Sequence, residues 1–180
     1  MPRLTADFLN ERKYQIQRKN HFEVIFPKET PSGNVVFSNA EDVDALTLLV
    51  KSFTLPKENT DSFEAAHYNQ SVKLPTQTKF DDSPLVIRDA LTFDTEKTFL
   101  QWRGLVYNPK TAEMGYAADF KIDLQVVEYS PNGETERKWT LKGCWPSSIE
   151  YGDLQYDDGG EKDMTITIKY DYAYRNDIGL

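Results

Sequence analysis

The segment from Met164 to Tyr174 constrains this chain most. Met164, Ile166, Ile168, Tyr170, Tyr172 and Tyr174 fall on one face, and Thr165, Thr167, Lys169, Asp171 and Ala173 on the other. A period of two held over this length, in β-branched and aromatic residues, predicts a β-strand. At about 3.3 Å per residue it spans roughly 35 Å. One face of such a strand needs a core. Its edges need partners, or they template aggregation.

A chain of 180 residues is long enough to build that core within one domain. The net charge of −8 argues against a basic face that grips nucleic acid or anionic membrane. It is compatible with a surface that nucleic acid passes without sticking. The single cysteine, Cys144, forms no intrachain disulfide and fits a reducing compartment. The first residues lack the apolar core of a signal peptide. The longest apolar run, Ala45 to Val50, is too short to span a bilayer and contains Thr47. Without a secretion signal, the glycosylation pattern Asn69-Gln70-Ser71 reads as chance.

Residues 4–19 read as a polar arm whose apolar cluster is Leu4, Phe8 and Leu9. His21 to Phe26 begins a sheet, and Pro27 to Asp44 reads as a surface loop. Leu46–Leu55 and Phe63–Leu74, stopped by Pro56 and Pro75, predict two strands of a long hairpin around a polar turn, Lys57–Ser62. Tyr68, Val72 and Leu74 would share a face opposite His67, Asn69, Ser71 and Lys73. Leu85–Phe93 reads as a further strand. Asp94 is a good N-cap, Glu96 suits the helix dipole, and Phe99, Trp102 and Val106 form one apolar stripe. A single central helix over about residues 95–107 follows, covering one mouth or face of the sheet. Phe120–Tyr129 and Glu136–Trp145 alternate around the turn Pro131-Asn132-Gly133, the second ended by Pro146. Asp157-Asp158-Gly159-Gly160 turns into the last strand. The order predicts a mainly β, antiparallel sandwich or barrel with one central α-helix.

Catalytic motifs are weak. His21 and His67 lie in strands, and one cysteine is too few for an ordinary zinc set, so no metal or cofactor is expected. Cys144 reads as a small buried thiol rather than a nucleophile. Ser147-Ser148 lacks the glycines of a nucleophile elbow. Asp81-Asp82 and Asp157-Asp158 fit no calcium loop and read as turn formers. A carbohydrate-binding β-sandwich is the alternative from another class, given the aromatics. Trp102 and Trp139 pattern as core against it, and Trp145 is open.

Several motifs recur in a shared order: Thr54-Leu55-Pro56, Lys79-Phe80-Asp81-Asp82, and a helix with Phe99-x-x-Trp102. Glu128-Tyr129 and Leu141-Lys142-Gly143-Cys144-Trp145-Pro146 follow, then Asp153-Leu154-Gln155-Tyr156-Asp157 and Asp171-Tyr172. This succession, over roughly residues 20–175, resembles the tail tube proteins of contractile-tailed, T4-like bacteriophages. That family is related in fold to type VI secretion tube proteins. The resemblance implies one non-enzymatic domain, residues 1–180; the N-terminal arm at 1–19 and the surface loop at 27–44 are longer here than in that family, so its contacts are not carried over to them. It implies hexameric rings stacked into a hollow tube, with a long hairpin joining an inter-subunit barrel around a lumen for DNA ejection. Implied partners are further copies of the chain, the sheath, baseplate, tail-terminator and tape measure proteins, and passing DNA without specific binding. No membrane is implied. The expected location is the phage tail in the virion, after synthesis in the host bacterial cytoplasm. A secretion-system or tailocin tube and a baseplate tube initiator are alternatives of the same class.

The physics agrees with that role. Shared barrel closure removes strand edges, and an acidic wall avoids the adhesion of a Lys/Arg-lined bore. On this reading Glu64, Asn69, Ser71 and Lys73 are candidates for the lumen. Lys57, Glu58, Asn59 and Asp61, with Leu4 and Phe8 of the arm, are candidates for contact with the next ring. The face of the last strand from Thr165 to Asp171 is a candidate for lumen or neighbouring-subunit contact.

Overall fold

The computed structural model of the chain describes residues 16–37, 40–91, 93–157 and 159–176, with backbone alone at 40–42 and 136. In chain order the elements are β1 (Phe22–Ile25), α1 (Ala40–Leu49), β2 (Val50–Phe53), β3 (Glu58–His67), β4 (Gln70–Phe80) and β5 (Ser83–Arg88). They continue with α2 (Thr95–Val106), β6 (Tyr107–Asn108), β7 (Glu113–Met114), α3 (Ala117–Phe120), β8 (Ile122–Tyr129), β9 (Thr135–Glu150), β10 (Asp163–Lys169) and β11 (Tyr172–Arg175). The main sheet is antiparallel, in the order β1-β8-β9-β10-β5-β2, with β11 also on β9.

The alternating strands bury one face each. Ile122, Leu124, Val126, Leu85, Ile87, Met164, Ile166 and Ile168 meet inside. The helix stripe closes this core. Phe99 and Trp102 are fully buried, and Phe26 and Phe37 meet them edge-on with ring centres 5.7–6.3 Å apart. Such aromatic pairs add about 0.5–1.5 kcal/mol each beyond burial. Trp102 Nε1 donates to the Phe120 carbonyl at 2.8 Å, so the indole N–H is satisfied in the dry interior. Asp94 caps α2 as its sequence predicts, accepting from the Lys97 backbone N–H at 2.8 Å. The turn Pro131-Asn132-Gly133 joins β8 and β9 with Gly133 at φ +83°.

Several elements differ from the sequence expectation. Leu46–Leu55 is the end of a helix followed by β2. Val43 and Leu46 are buried one turn apart, so the 3.6 period prevails over the short apolar run. The central helix is therefore one of three among the described residues. The stretch read as a surface loop from Pro27 to Asp44 buries Thr30, Val36 and Phe37 and contains the start of α1.

The hairpin is displaced along the chain. Lys57–Ser62 is not its turn: Glu58 onward is strand, and the reversal is Tyr68-Asn69, with Tyr68 at φ +53°. Pro75 does not end β4. It sits opposite Ser62 beside a bulge, on a strand whose other edge is open, where a missing N–H costs little. β5 ends at Arg88, leaving Leu91 exposed. β9 likewise runs through Pro146, with a register shift beside it.

The long terminal alternation breaks after Tyr170. Met164 to Tyr170 keep their inward face, but Tyr172 and Tyr174 are exposed and Ala173 packs inward. Gly143 is the cause. β9 places Lys142 and Gly143 against the single Asp123 of β8, a bulge in which Gly143 takes φ +68°. Leu141 and Cys144 then both face inward, three residues apart. The strand alongside follows, turning in Tyr170 and Ala173. The two-residue period therefore reverses phase where β9 bends.

Candidate assembly surfaces

The backbone of β2 and β5 continues into β3 and β4. Thr54 N–H donates to the Pro84 carbonyl at 3.0 Å and Asp81 N–H to the Lys57 carbonyl at 2.9 Å. The result is one long ribbon whose base lies in the sheet. Among the described residues its distal part, β3–β4, pairs with no other strand, and every residue in it except Ala65 and Phe80 is exposed. Phe80 anchors the base against Tyr170, ring centres 5.8 Å apart.

Register assigns the two faces. Phe63 opposes Leu74 and Ala65 opposes Val72, so these apolar residues share a face. Phe63 is 51% exposed and Val72 54%. At the base, the same face carries an ionic ladder. Lys57 pairs with Asp81 at 2.9 Å, Asn59 donates to Asp81 at 2.8 Å, and Lys79 pairs with Asp61 at 3.1 Å. Lys57 holds the Asp81 carboxyl below its ordinary value by hydrogen bond and charge. The opposite face carries Glu64 across from Lys73, and Ser71, whose hydroxyl donates to Glu64.

The structure thus brings Glu64, Ser71 and Lys73 together on one face and puts Asn69 in the turn. It groups Lys57, Asn59 and Asp61 on the other face and separates Glu58 from them. His67 lies with Val72 and Leu74, not opposite them, because the two-residue turn resets the alternation. Leu4 and Phe8 lie outside the described residues. Phe63 and Leu74 join the candidate contact residues on this geometry. Their signal is an apolar cross-strand pair on a ribbon that no other described element covers.

A second surface lies where the sheet stays open. β1 and β2 end the strand order and flank a groove of about 790 Å³.

Of the groups weighed for chemistry, Cys144 is fully buried and burial pushes its thiol up to about 12, which leaves no reactive thiolate. Ser147 donates to the Thr167 carbonyl at 3.0 Å. Asp82 pairs with Lys169 at 3.6 Å. Trp102 is enclosed, and Trp139 and Trp145 pack half-buried against the core. Among the described residues no cluster of three or more His, Cys, Asp or Glu side chains is arranged to hold a metal ion. No described helix is long and apolar enough to cross a membrane.

An antiparallel barrel-like subunit with a projecting ribbon and open sheet edges is of the tube-building class. Comparison with known families agrees: the model for phage tail tube proteins matches residues 17–176, and the chain belongs to that family. Its function is that of a structural tail tube protein. Among solved structures, the anti-feeding prophage tube-terminating cap aligns with TM-score 0.67 at 14% identity, covering 89% of this chain and 90% of that one. The sheath-tube complex of the extracellular contractile injection system PVC aligns with TM-score 0.67 at 12% identity, covering 96% and 97%. The SPP1 tail tube aligns with TM-score 0.50 at 10% identity, covering 89% and 79%. At these identities the likeness is one of fold. Comparison with curated proteins finds no match.

Proposed function

We propose that copies of this chain join head to tail into hexameric rings that stack into a hollow phage-tail conduit, through which DNA is ejected. The observation that carries this reading is the β3–β4 ribbon, apolar on one face, polar on the other and, among the described residues, uncovered by its own subunit. Such a ribbon needs a neighbour, and unlike surfaces that meet head to tail close into rings. The apolar face, Phe63, Ala65, Val72 and Leu74, packs on the adjacent copy and extends its strands into an inter-subunit barrel. The polar face, Glu64, Ser71 and Lys73, with Asn69 at the turn, faces the lumen. Glu64 and Lys73 offset each other's charge, so the wall offers phosphate little to hold. Lys57, Glu58, Asn59 and Asp61 at the ribbon base meet the next ring, with Leu4 and Phe8.

The protein acts as a scaffold without catalysis, made in the host bacterial cytoplasm and retained in the virion tail. Sheath, terminator and baseplate proteins are its partners, with tape measure protein and DNA inside. Structures of a sheath-tube complex, a sheath/tube terminator and a six-fold symmetrised baseplate among its structural neighbours support the sheath, terminator and baseplate as partners. A tube of an injection device is the second reading, favoured by the same contractile injection systems.

Electron microscopy of the purified protein tests the proposal. Rings or hollow tubes are expected, and a persistent monomer overturns it. Because Glu58–Ser62 belongs to a paired strand, the informative change is Phe63→Ser with Leu74→Ser. It should leave the subunit folded and abolish tubes. Isolation of the chain with genome-filled heads separates the phage reading from the injection device.

A further inference from the structure

β5 and β10 lie antiparallel, and a different structure stands at each end of the pair. At one end Ser83 opposes Ile168, and the chain passes from there into the β3–β4 ribbon. Phe80 rests on Tyr170 at this end. At the other end Arg88 opposes Asp163. The six residues of β5 separate the two ends by about 20 Å. The ribbon continues outward from the Ser83 end, so it does not cover the Arg88 end of its own subunit.

The Arg88 end carries the loop that joins β9 to β10, and the base of that loop is clamped. Gly152 takes φ +76° beneath the Asp163 carbonyl oxygen, which lies 2.5 Å from where a side chain would begin. The Asp89 N–H donates to the Lys162 carbonyl at 2.9 Å. Lys162 pairs with Asp89 at 2.9 Å and Glu96 at 3.3 Å, and Arg88 pairs with Glu161 at 2.9 Å. The limbs 153–155 and 160–162 face each other across a small cleft of about 280 Å³. These ties hold the loop at the sheet, yet Leu154 is 84% exposed and Tyr156 fully so. Leu91, in the turn after β5, is fully exposed at the same end. A loop clamped at its base that holds a leucine and a tyrosine in water has the character of a contact surface. Asp153 and Asp157 flank the two apolar residues. The ribbon's apolar face carries no carboxylate from Phe63 to His67 or from Gln70 to Leu74, so nothing there repels them.

Resting on the tube reading, we propose that this loop is the seat for the β3–β4 ribbon of a second copy, whose apolar face at Phe63, Val72 and Leu74 covers Leu154 and Tyr156. Each copy carries one ribbon and one seat. The two surfaces are unlike and stand at opposite ends of the same strands, so copies joined through them run head to tail. The contact removes from water apolar area that each subunit leaves exposed by itself. It gives the motif Asp153-Leu154-Gln155-Tyr156-Asp157 a role in assembly.

Mixed cross-linking tests this. The native thiol, Cys144, is buried and silent. A Leu154→Cys variant is mixed with Val72→Cys or with Leu74→Cys, assembled, and treated with a short bismaleimide. A covalent dimer holding one of each is expected in the assembled fraction, absent when either variant is mixed with wild type. Leu154→Cys should react with maleimide in the unassembled subunit and be protected in tubes. Leu154→Ser with Tyr156→Ser should raise the critical concentration for tubes by about tenfold or more, with thermal unfolding unchanged. Wild-type tubes alongside no mixed dimer overturn the seat and leave the tube reading standing. So does protection of Leu154→Cys in the unassembled subunit, which would put the chain's own residues over the loop. Failure of the wild type to form rings or tubes overturns both.

Discussion

Asp171 lies across the strand pair from Gly143, with its carboxylate over the glycine's α-carbon where any side chain would begin. Both carboxylate oxygens accept from Lys121 Nζ, at 2.7 and 2.8 Å. On the other side of the bulge, Asp123 accepts from Lys142 Nζ at 2.6 Å and from the Gly143 N–H at 3.1 Å. Two motifs far apart in the chain, Lys142-Gly143 and Asp171-Tyr172, are thus one feature: the point where both strands reverse phase.

Gly143→Ala should accordingly destabilise the subunit by about 2–4 kcal/mol, from the left-handed backbone and the collision with Asp171. Thermal unfolding should shift down by roughly 5–15 °C. Adding Asp171→Ala should recover the collision but not the backbone cost. An unchanged midpoint for the single variant would contradict the bulge.

Trp102→Phe keeps the aromatic packing and removes the donor to the Phe120 carbonyl. The carbonyl is left without its partner in the core, so a loss of about 1–3 kcal/mol is expected in denaturant unfolding. Trp139→Phe, at a half-buried site, should cost less.

Lys142 is held protonated above the ordinary lysine value of 10.5 chiefly by its hydrogen bond to Asp123, which burial opposes and that residue's charge assists. A raised folded-state pKa stabilises the fold fully below the unfolded value. The contribution disappears as pH climbs through the folded value. Wild type should therefore lose stability above about pH 10.5 more steeply than Lys142→Met. Parallel curves for the two proteins would rule the linkage out.

Cys144 should resist thiol reagents at pH 8 in the folded protein, because burial keeps it protonated and enclosed. Labelling should proceed only as fast as the chain opens. Rapid stoichiometric labelling of native protein would show the thiol to be accessible.

Short-range chemistry was readable from the residues. The cap at Asp94, the stripe Phe99, Trp102 and Val106, the turn at Gly133 and the alternation of Met164 to Tyr170 each depend on neighbours within one or two turns of chain. The resemblance carried by the ordered motifs supplied the family. The hairpin register was harder. Pro75 looked like a stop because a proline stops a strand paired on both sides, and only the topology makes β4 an edge. Leu46–Leu55 looked like one strand because a short apolar run suits both periods, and packing of Val43 with Leu46 decides for helix as far as Leu49. Of the assembly candidates, Glu64, Ser71 and Lys73 share the expected polar face, whereas the apolar partner face depended on knowing that Tyr68-Asn69 is the turn.

By itself the sequence determined that this chain is an antiparallel β protein with a capped helix and long alternating strands, because periodicity and turn chemistry are local. Only the tertiary structure decided that the eleven-residue alternation breaks at Tyr170. Gly143 and Asp171 must come together for both strands to change face, and that contact joins residues with no local relation. Tertiary structure likewise decided which strand edges remain open, since an edge is defined by the partner it lacks.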